Sequence, residues 1–271
     1  MLKRTVVALA LIPVLLVIVL ALPKILAALI AGVFCAIAAY ELLGTTKLVR
    51  SPRMLLYTMV AAFFVSLWSY FGCPAAAGIL GLVVFYALLF SELMLSNMKI
   101  PFSQLAMCIM GGLVIPCMFN SLIRIFVLDE GRAYILIPFV LAFLSDIGAY
   151  FAGSFLGKHK LCPIISPKKT VEGLVGGVAA SILGMVIYCL ILQLGFGFTV
   201  NYLLVFVYGI VGSLAGVFGD LTFSVVKRQT GIKDYGNIFP GHGGILDRFD
   251  SVIVVAPLVE ALLLWIPVVT K

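Results

Sequence analysis

AAAGILGLVVFYALLFSELML, residues 75–95, contains a single charged side chain, Glu92. An α-helix rises about 1.5 Å per residue, so about 20 apolar residues cross the roughly 30 Å hydrocarbon core of a bilayer. Pro74 marks the start of the run, because proline cannot continue a preceding helix without losing a backbone hydrogen bond. This stretch therefore predicts a transmembrane helix.

The same composition extends along the whole chain. Hydrophobic residues make up 63% of the 271 positions and charged residues only 11%, whereas soluble domains carry about 25% charged residues. We therefore predict an all-α polytopic integral membrane protein with about nine transmembrane helices and no soluble domain. The predicted spans are 5–22, 26–43, 54–72, 75–95, 104–123, 134–156, 173–197, 201–226 and 251–268.

Basic residues predict the orientation of these spans. With nine spans, fourteen of the eighteen lysines and arginines fall on the side of the N-terminus. Because such residues are retained in the cytoplasm, we expect the N-terminus and the even-numbered connections to face it. The exceptions are Lys24, Arg124, Arg132 and Lys271. The net charge of +7 is divided among connections without interleaved aromatic residues, so we expect membrane lipids rather than nucleic acid as partners.

The acidic residues separate two regions of the chain. Residues 1–100 are expected to hold about four N-terminal spans, and residues 101–271 about five spans with the loops of the candidate active region. Carboxylates near a bilayer need cations, metal ions or a wet cavity. Six of the eleven acidic residues lie between positions 146 and 250: Asp146, Glu172, Asp220, Asp234, Asp247 and Asp250. Glu41 and Glu92, near the ends of early spans, are expected to reach water or to pair with a cation.

Charged residues meet at the end of the eighth predicted span and the start of the ninth. The eighth carries four polar residues on one helix face: Asp220, Ser224, Lys227 and Arg228. The ninth begins with Asp247 and Asp250, one turn apart. Carboxylates from two helix ends would suit Mg²⁺, which prefers oxygen ligands and completes its shell with water and substrate phosphate.

A glycine-rich segment, PGHGG at residues 240–244, connects these two spans. Glycine lets backbone N–H groups approach an anion closely, and the helix N-terminus that follows favours phosphate. Gly243 and Gly244 are therefore candidate phosphate contacts, and the glycines around His242 favour the same role for its side chain. The alternative is a tight connector with a hydrogen-bonded structural histidine.

A second polar cluster begins in the sixth predicted span, where Asp146 and Tyr150 share a helix face. It continues in SPKKTVEG, residues 166–173, just before the seventh span. The adjacent lysines, Lys168 and Lys169, are candidate phosphate contacts. The threonine and glutamate of this segment could instead only cap the seventh helix.

The run SVVKRQTGIKDYGNIFPGHGGILDRFD, residues 224–250, resembles the signature of the phosphatidate cytidylyltransferases, also called CDP-diacylglycerol synthases. Asp146-x-x-x-Tyr150 and residues 166–173 also resemble that family. The resemblance implies a Mg²⁺-dependent nucleotidyltransferase of phospholipid biosynthesis. In the implied reaction, a phosphatidate oxygen is expected to attack the α-phosphorus of CTP, so that pyrophosphate leaves and CDP-diacylglycerol forms. It also implies a multi-pass protein of the inner (plasma) membrane whose active site faces the cytoplasm.

The resemblance and the needs of phosphoryl transfer suggest roles for individual residues. The expected metal ligands are Asp220, Asp247 and Asp250, with a second metal ion left open. The expected catalytic residues are Asp220, Asp247, Lys227, Arg228 and His242. The expected substrate contacts are Asp146, Tyr150, Ser166, Lys168, Lys169, Thr170, Lys233, Gly243, Gly244 and Arg248. Arg248 could instead pair with a carboxylate, and Asp146 could orient the nucleotide or bind a second metal ion.

Two other functions fit parts of this pattern. A transporter for an anionic lipid would also contain buried charges and broken helices, but its charges should cross the membrane rather than gather on one predicted side. A cytidylyltransferase for another phosphorylated lipid would use the same residues. If the protein oligomerises, we expect a homodimer, because symmetric dimers are the commonest assemblies.

Overall fold

Helices make up nearly all of the regular structure. The computed structural model describes residues 13, 16–97, 99–238 and 243–271, so most of the first predicted span lies outside the described residues. The chain divides into two compact units, Met1–Val127 with Gln229–Arg248, and Leu128–Arg228 with Phe249–Lys271. The predicted division of function at residue 100 remains a prediction.

The first unit consists of helices interrupted by π-helical turns. Its elements are α1 (Lys24–Tyr40), a π-helical turn (Glu41–Thr45), α2 (Pro52–Phe71), α3 (Ala75–Leu95), α4 (Phe102–Ile109), a second π-helical turn (Met110–Val114), α5 (Ile115–Phe119) and α6 (Ser121–Val127). Pro23, Pro74 and Pro101 stand immediately before α1, α3 and α4. Proline ends a preceding helix but is compatible with the first positions of a new one, so it separates the spans.

Small residues bring α1 and α2 together. Ala28 and Ala31 of α1 and Ala62 of α2 are buried, and a Cβ atom added at Gly32 would lie 2.8 Å from the Phe63 ring. Membrane helices associate through such close packing, because lipid tails are as apolar as the side chains. In contrast, α3 exposes large apolar side chains along much of its length, as expected of a surface in contact with lipid.

The second unit combines long helices with two short β pairings. Its elements are α7 (Gly131–Tyr134), α8 (Leu136–Leu156), β1 (Lys160–Cys162), β2 (Ser166–Thr170), α9 (Val171–Phe196), β3 (Thr199–Val200), α10 (Tyr202–Gln229), α11 (Leu246–Trp265) and β4 (Val269–Thr270). The first residues of α11, through Arg248, belong to the first unit. Strands β1 and β2 form an antiparallel hairpin with Lys160 opposite Thr170 and Cys162 opposite Ser166. Strands β3 and β4 are also antiparallel.

Glycines set the spacing of the long helices in the second unit. A Cβ atom added at Gly148 of α8 would lie 2.6 Å from the carbonyl oxygen of Gly176 in α9. A Cβ atom at Gly219 of α10 would lie 2.6 Å from the carbonyl oxygen of Asp250 in α11. Both approaches are too close for a side chain, so these backbones are in direct contact. Gly219 therefore brings the neighbouring Asp220 towards Asp250 of α11.

The structure confirms the all-α polytopic class. Within the described residues, seven helical segments are long and apolar enough to cross a membrane: Lys24–Thr45, Pro52–Phe71, Ala75–Leu95, Phe102–Val127, Gly131–Leu156, Val171–Phe196 and Tyr202–Gln229. They coincide with the second to eighth predicted spans. Helix α11 occupies the position of the ninth, but it carries several charged residues and is not among the seven.

Candidate active site

Asp220 is the centre of a charged cluster in the second unit. It lies near the C-terminal end of α10, where Lys169 of β2 places its Nζ atom 2.6 Å from Asp220 Oδ2. The Ser224 hydroxyl, one turn further along α10, donates to Asp220 Oδ1 over 3.2 Å. The contact between Asp220 and Ser224 confirms that they share a helix face, as their spacing predicts. The Lys169 contact shows that the hairpin and α10 contribute to one site.

Asp250 joins this cluster from α11, one turn after Asp247. Its side chain is partly buried, and the charges that act on its carboxylate are those of Asp220, Lys227 and Asp146. The close contact between the backbones of α10 and α11 explains the proximity of Asp250 and Asp220. Three carboxylates and two lysines thus lie in one region of the second unit. Repulsion among the carboxylates must be offset by cations, which is the electrostatic setting of a metal or phosphate site.

The β1–β2 hairpin is anchored at both ends. The Gly173 N–H donates to Thr170 Oγ1 over 3.1 Å, so Thr170 caps the start of α9. The Glu172 carboxylate accepts a hydrogen bond from the backbone N–H of His159, and its Oε1 lies 2.6 Å from His159 Nδ1. The capping role considered for Thr170 is therefore present in the structure, whereas Glu172 reaches back to the residue before β1. Any contact of Thr170 with substrate remains a prediction.

The two adjacent lysines of the hairpin have different surroundings. Lys168 is exposed, whereas Lys169 is partly buried against Asp220. Ser166 opens β2 opposite Cys162. The Arg228 side chain donates from Nε to the carbonyl oxygen of Ile165 over 3.2 Å, which ties the end of α10 to the turn of the hairpin. On α8, both Asp146 and Tyr150 are exposed.

Asp247 organises a separate cluster in the first unit. It lies in the first turn of α11 and is only 8% exposed. Its Oδ2 atom accepts hydrogen bonds from the backbone N–H groups of Tyr235 over 2.7 Å and Gly244 over 3.0 Å. This carboxylate therefore joins the two ends of the connection between α10 and α11. Asp220 belongs to the other unit, so coordination of one metal ion by both aspartates remains a prediction.

The glycine-rich connection is described only in part. His242 lies outside the described residues, so its predicted role remains a prediction. Gly243 has a φ angle of 85°, which favours glycine, and a Cβ atom there would lie 2.6 Å from Asp247 Oδ2. Lys233 is exposed. Arg248 Nε is buried without a hydrogen-bond partner among the described residues, and a buried donor of this kind is suited to an anionic ligand.

Glu41 is a residue of this region whose structural role was not predicted from the sequence. It is 2% exposed, so the expectation that it reaches water or pairs with a cation is wrong. Its carboxylate instead accepts backbone hydrogen bonds from Ile245 over 3.0 Å and Leu246 over 2.8 Å. The available signal was an acidic residue inside a predicted span, which is expensive unless it has a specific role. By contrast, Glu92 pairs with Arg53 over 3.5 Å, as expected.

The oxygen donors of the second unit fit Mg²⁺ that is shared with a substrate. Mg²⁺ is usually bound through one or two carboxylates, while water and phosphate oxygens complete the octahedron. Asp220 and Asp250 offer such oxygens. Within the described ranges, no group of three or more histidine, cysteine or acidic residues forms a complete metal site. Binding of Mg²⁺ by these carboxylates remains a prediction.

Comparison with known proteins assigns the chain to a family. The model of the cytidylyltransferase family matches residues 2–266. A phosphatidate cytidylyltransferase of Staphylococcus saprophyticus is 42% identical over 185 residues, which cover 68% of this chain and 69% of the relative. The protein of the same name in Staphylococcus haemolyticus is 39% identical over 183 residues, 68% of each chain. The resemblance noted in residues 146–173 and 224–250 is thus confirmed, and the chain belongs to the cytidylyltransferase family.

Proposed function

We propose that this protein transfers the cytidylyl group of CTP to phosphatidate and forms CDP-diacylglycerol and pyrophosphate. The observation that carries the proposal is the cluster of Asp146, Asp220 and Asp250 with Lys169 and Lys227 in a chain of the cytidylyltransferase family. The names of the relatives supply the lipid substrate. The apolar helices of the chain suit an enzyme whose substrate and product are both membrane lipids.

The reaction needs positioned phosphates and compensation of charge. An oxygen of the phosphatidate phosphate forms a bond to the α-phosphorus of CTP, and the bond from this phosphorus to the bridging oxygen of pyrophosphate breaks. Both substrates are polyanions, so cations must hold them together in line. We assign this role to Lys169, which pairs with Asp220, and to Lys227, whose charge acts on the Asp250 carboxylate.

We propose that Asp220 and Asp250 bind Mg²⁺ in the second unit, with Asp247 as the further predicted ligand. When bound, Mg²⁺ supplies positive charge to the attacking and leaving oxygens. Lys169 now neutralises Asp220, and a metal ion at that carboxylate would release the ammonium group towards a phosphate. Asp146 orients the nucleotide or binds a second ion, and Arg228, Arg248, Lys168 and Lys233 contact phosphates.

The setting of the enzyme is part of the proposal. The distribution of lysine and arginine supports an active site that faces the cytoplasm from the plasma membrane. The relatives are bacterial proteins, which supports that membrane as the location. A homodimer is proposed on the general prevalence of symmetric pairs.

The decisive experiment uses purified protein in detergent with radiolabelled CTP, phosphatidate and Mg²⁺. We expect label to move into the organic phase and an equal amount of pyrophosphate to appear. A parallel reaction with another phosphorylated lipid tests the choice of acceptor. Absence of organic-phase label with every acceptor would reject the transferase assignment and leave the transporter as the alternative.

A further inference from the structure

Glu41 is a buried carboxylate with a specific task. It opens the π-helical turn Glu41–Thr45 at the end of α1 and is 2% exposed. Burial of a charged carboxylate is costly unless hydrogen bonds replace the lost water. Its two oxygens are engaged separately: Oε1 accepts from the Ile245 N–H over 3.0 Å, and Oε2 accepts from the Leu246 N–H over 2.8 Å.

The two amides that Glu41 binds lie at the start of α11, which begins at Leu246. The first N–H groups of a helix lack partners within the helix and carry the positive end of its dipole. Serine, threonine, asparagine and aspartate are the preferred N-cap residues, because their side chains can satisfy one of these groups. In α11 a glutamate from a distant part of the sequence satisfies two of them.

The surrounding chain is shaped to admit this carboxylate. A Cβ atom added at Gly236 would lie 2.4 Å from Glu41 Oε1, and one at Gly244 would lie 2.2 Å from the same oxygen. Only glycine leaves space for Glu41 at both places. The same π-helical turn holds the other end of the connection, because the Thr45 hydroxyl donates to the carbonyl oxygen of Tyr235 over 2.7 Å.

These contacts converge on the residues that follow. Asp247 and Arg248 come directly after the two amides that Glu41 binds, and Asp247 Oδ2 accepts from Tyr235 and Gly244. A shift of the first turn of α11 would therefore move Asp247 and Arg248 together. We infer that Glu41 is a positioning residue for the transfer reaction, which orients Asp247 and Arg248 through the start of α11. This inference rests on the proposed function.

A role in positioning differs from a role in stability alone. If Glu41 only stabilised the fold, Glu41→Gln would reduce the yield of folded protein but leave kcat and KM per folded molecule unchanged. If it positions α11, the folded variant will be slower and will need more Mg²⁺, because Asp247 is a predicted metal ligand. Glutamine has almost the same size, but its amide has only one oxygen to accept from the two N–H groups.

The test compares Glu41→Gln with Glu92→Gln, a matched substitution of a second buried acid in the first unit, which pairs with Arg53. Both variants are purified as monodisperse protein and assayed for transfer at several Mg²⁺ concentrations. Loss of a residue that orients functional groups costs roughly 10- to 100-fold in activity or metal affinity. We expect a loss of that size for Glu41→Gln, with near-normal kinetics for Glu92→Gln.

Hydrogen–deuterium exchange supplies a readout that is independent of activity. Glu41→Gln should accelerate exchange in the peptide that contains Ile245 and Leu246, and Glu92→Gln should leave this peptide unchanged. Normal kinetics in Glu41→Gln, despite faster exchange, would overturn the positioning role. Unchanged exchange would overturn the contact itself. If the wild-type protein transfers no label, the proposed function fails and the positioning role of Glu41 fails with it. Exchange still decides whether Glu41 holds the start of α11.

Discussion

Lys169 Nζ lies 2.6 Å from Asp220 Oδ2, and this ion pair joins the β1–β2 hairpin to the end of α10. The lysine places a positive charge directly beside a candidate metal ligand. Its ammonium group offsets the negative charge of the Asp220 carboxylate. Substitution of each partner separately therefore distinguishes the predicted metal ligand, Asp220, from the predicted phosphate contact, Lys169.

Asp220→Asn should nearly abolish transfer while the protein stays folded. The amide cannot supply the negative charge that a metal ion requires, and a metal ion contributes several kcal/mol to transition states of this kind. We expect kcat to fall on the order of 100-fold or more, with weakened dependence on Mg²⁺. The measurement is a Mg²⁺ titration of the rate, with the exposed Asp129→Asn as a control. Near-normal turnover in Asp220→Asn would remove Asp220 from the metal site.

Lys169→Ala should be more damaging than Lys168→Ala. Lys169 is partly buried and paired with Asp220, whereas Lys168 is exposed. A charge-assisted hydrogen bond is worth about 1.5–3 kcal/mol, which corresponds to roughly 10- to 100-fold in kcat/KM. Steady-state kinetics with CTP and phosphatidate varied separately will show which substrate each lysine binds. Equal, small effects of both substitutions would contradict a phosphate contact by Lys169.

Gly236→Ala should lower the transfer rate and loosen the start of α11, as expected for Glu41→Gln. The new methyl group would lie 2.4 Å from Glu41 Oε1, so the carboxylate or the connection must move. We expect a roughly 10- to 100-fold lower rate and faster amide exchange at the start of α11. Gly81→Ala is the control, because a Cβ atom at Gly81 would meet no atom within 4 Å. A Gly236→Ala variant with normal rate and exchange would show that the connection adapts freely.

Thr170→Ala should lower stability through loss of a helix cap. The Thr170 hydroxyl accepts the Gly173 N–H at the start of α9, and replacement of such a cap by alanine costs about 1 kcal/mol. Thermal unfolding in detergent will measure this change, and Thr170→Ser should restore most of the stability. Activity per folded molecule decides the second role. A fall in that activity which serine reverses would support the predicted substrate contact, whereas unchanged activity would leave Thr170 as a cap only.

Local patterns in the sequence predicted local structure well. The bilayer imposes a minimum length on each apolar helix, so hydropathy was sufficient to predict the spans from α1 to α10. Helical spacing predicted the contact between Ser224 and Asp220, because residues four apart share a face. The capping interpretation of Thr170 depended on neighbours in the chain and is confirmed.

Contacts between distant parts of the chain were not predictable in the same way. The Lys169–Asp220 pair depends on how a short polar hairpin folds against α10, and hydropathy contains no information on that packing. Glu41 binds amides more than 200 positions away. Backbone N–H groups are present at every non-proline residue, so no side-chain pattern marks them as partners. The two hydrogen bonds that Asp247 Oδ2 accepts from backbone N–H groups were not predictable for the same reason.

The link between Glu41 and α11 has a consequence for the biogenesis of the protein. Glu41 is made early, whereas Ile245 and Leu246 leave the ribosome 204 and 205 positions later. At about 5–20 residues per second, this interval lasts on the order of 10–40 s. If α1 inserts as it is made, Glu41 enters the membrane before the amides of Ile245 and Leu246 have been synthesised. A chain that terminates before residue 245 never acquires these amides, so its Glu41 lacks both hydrogen bonds.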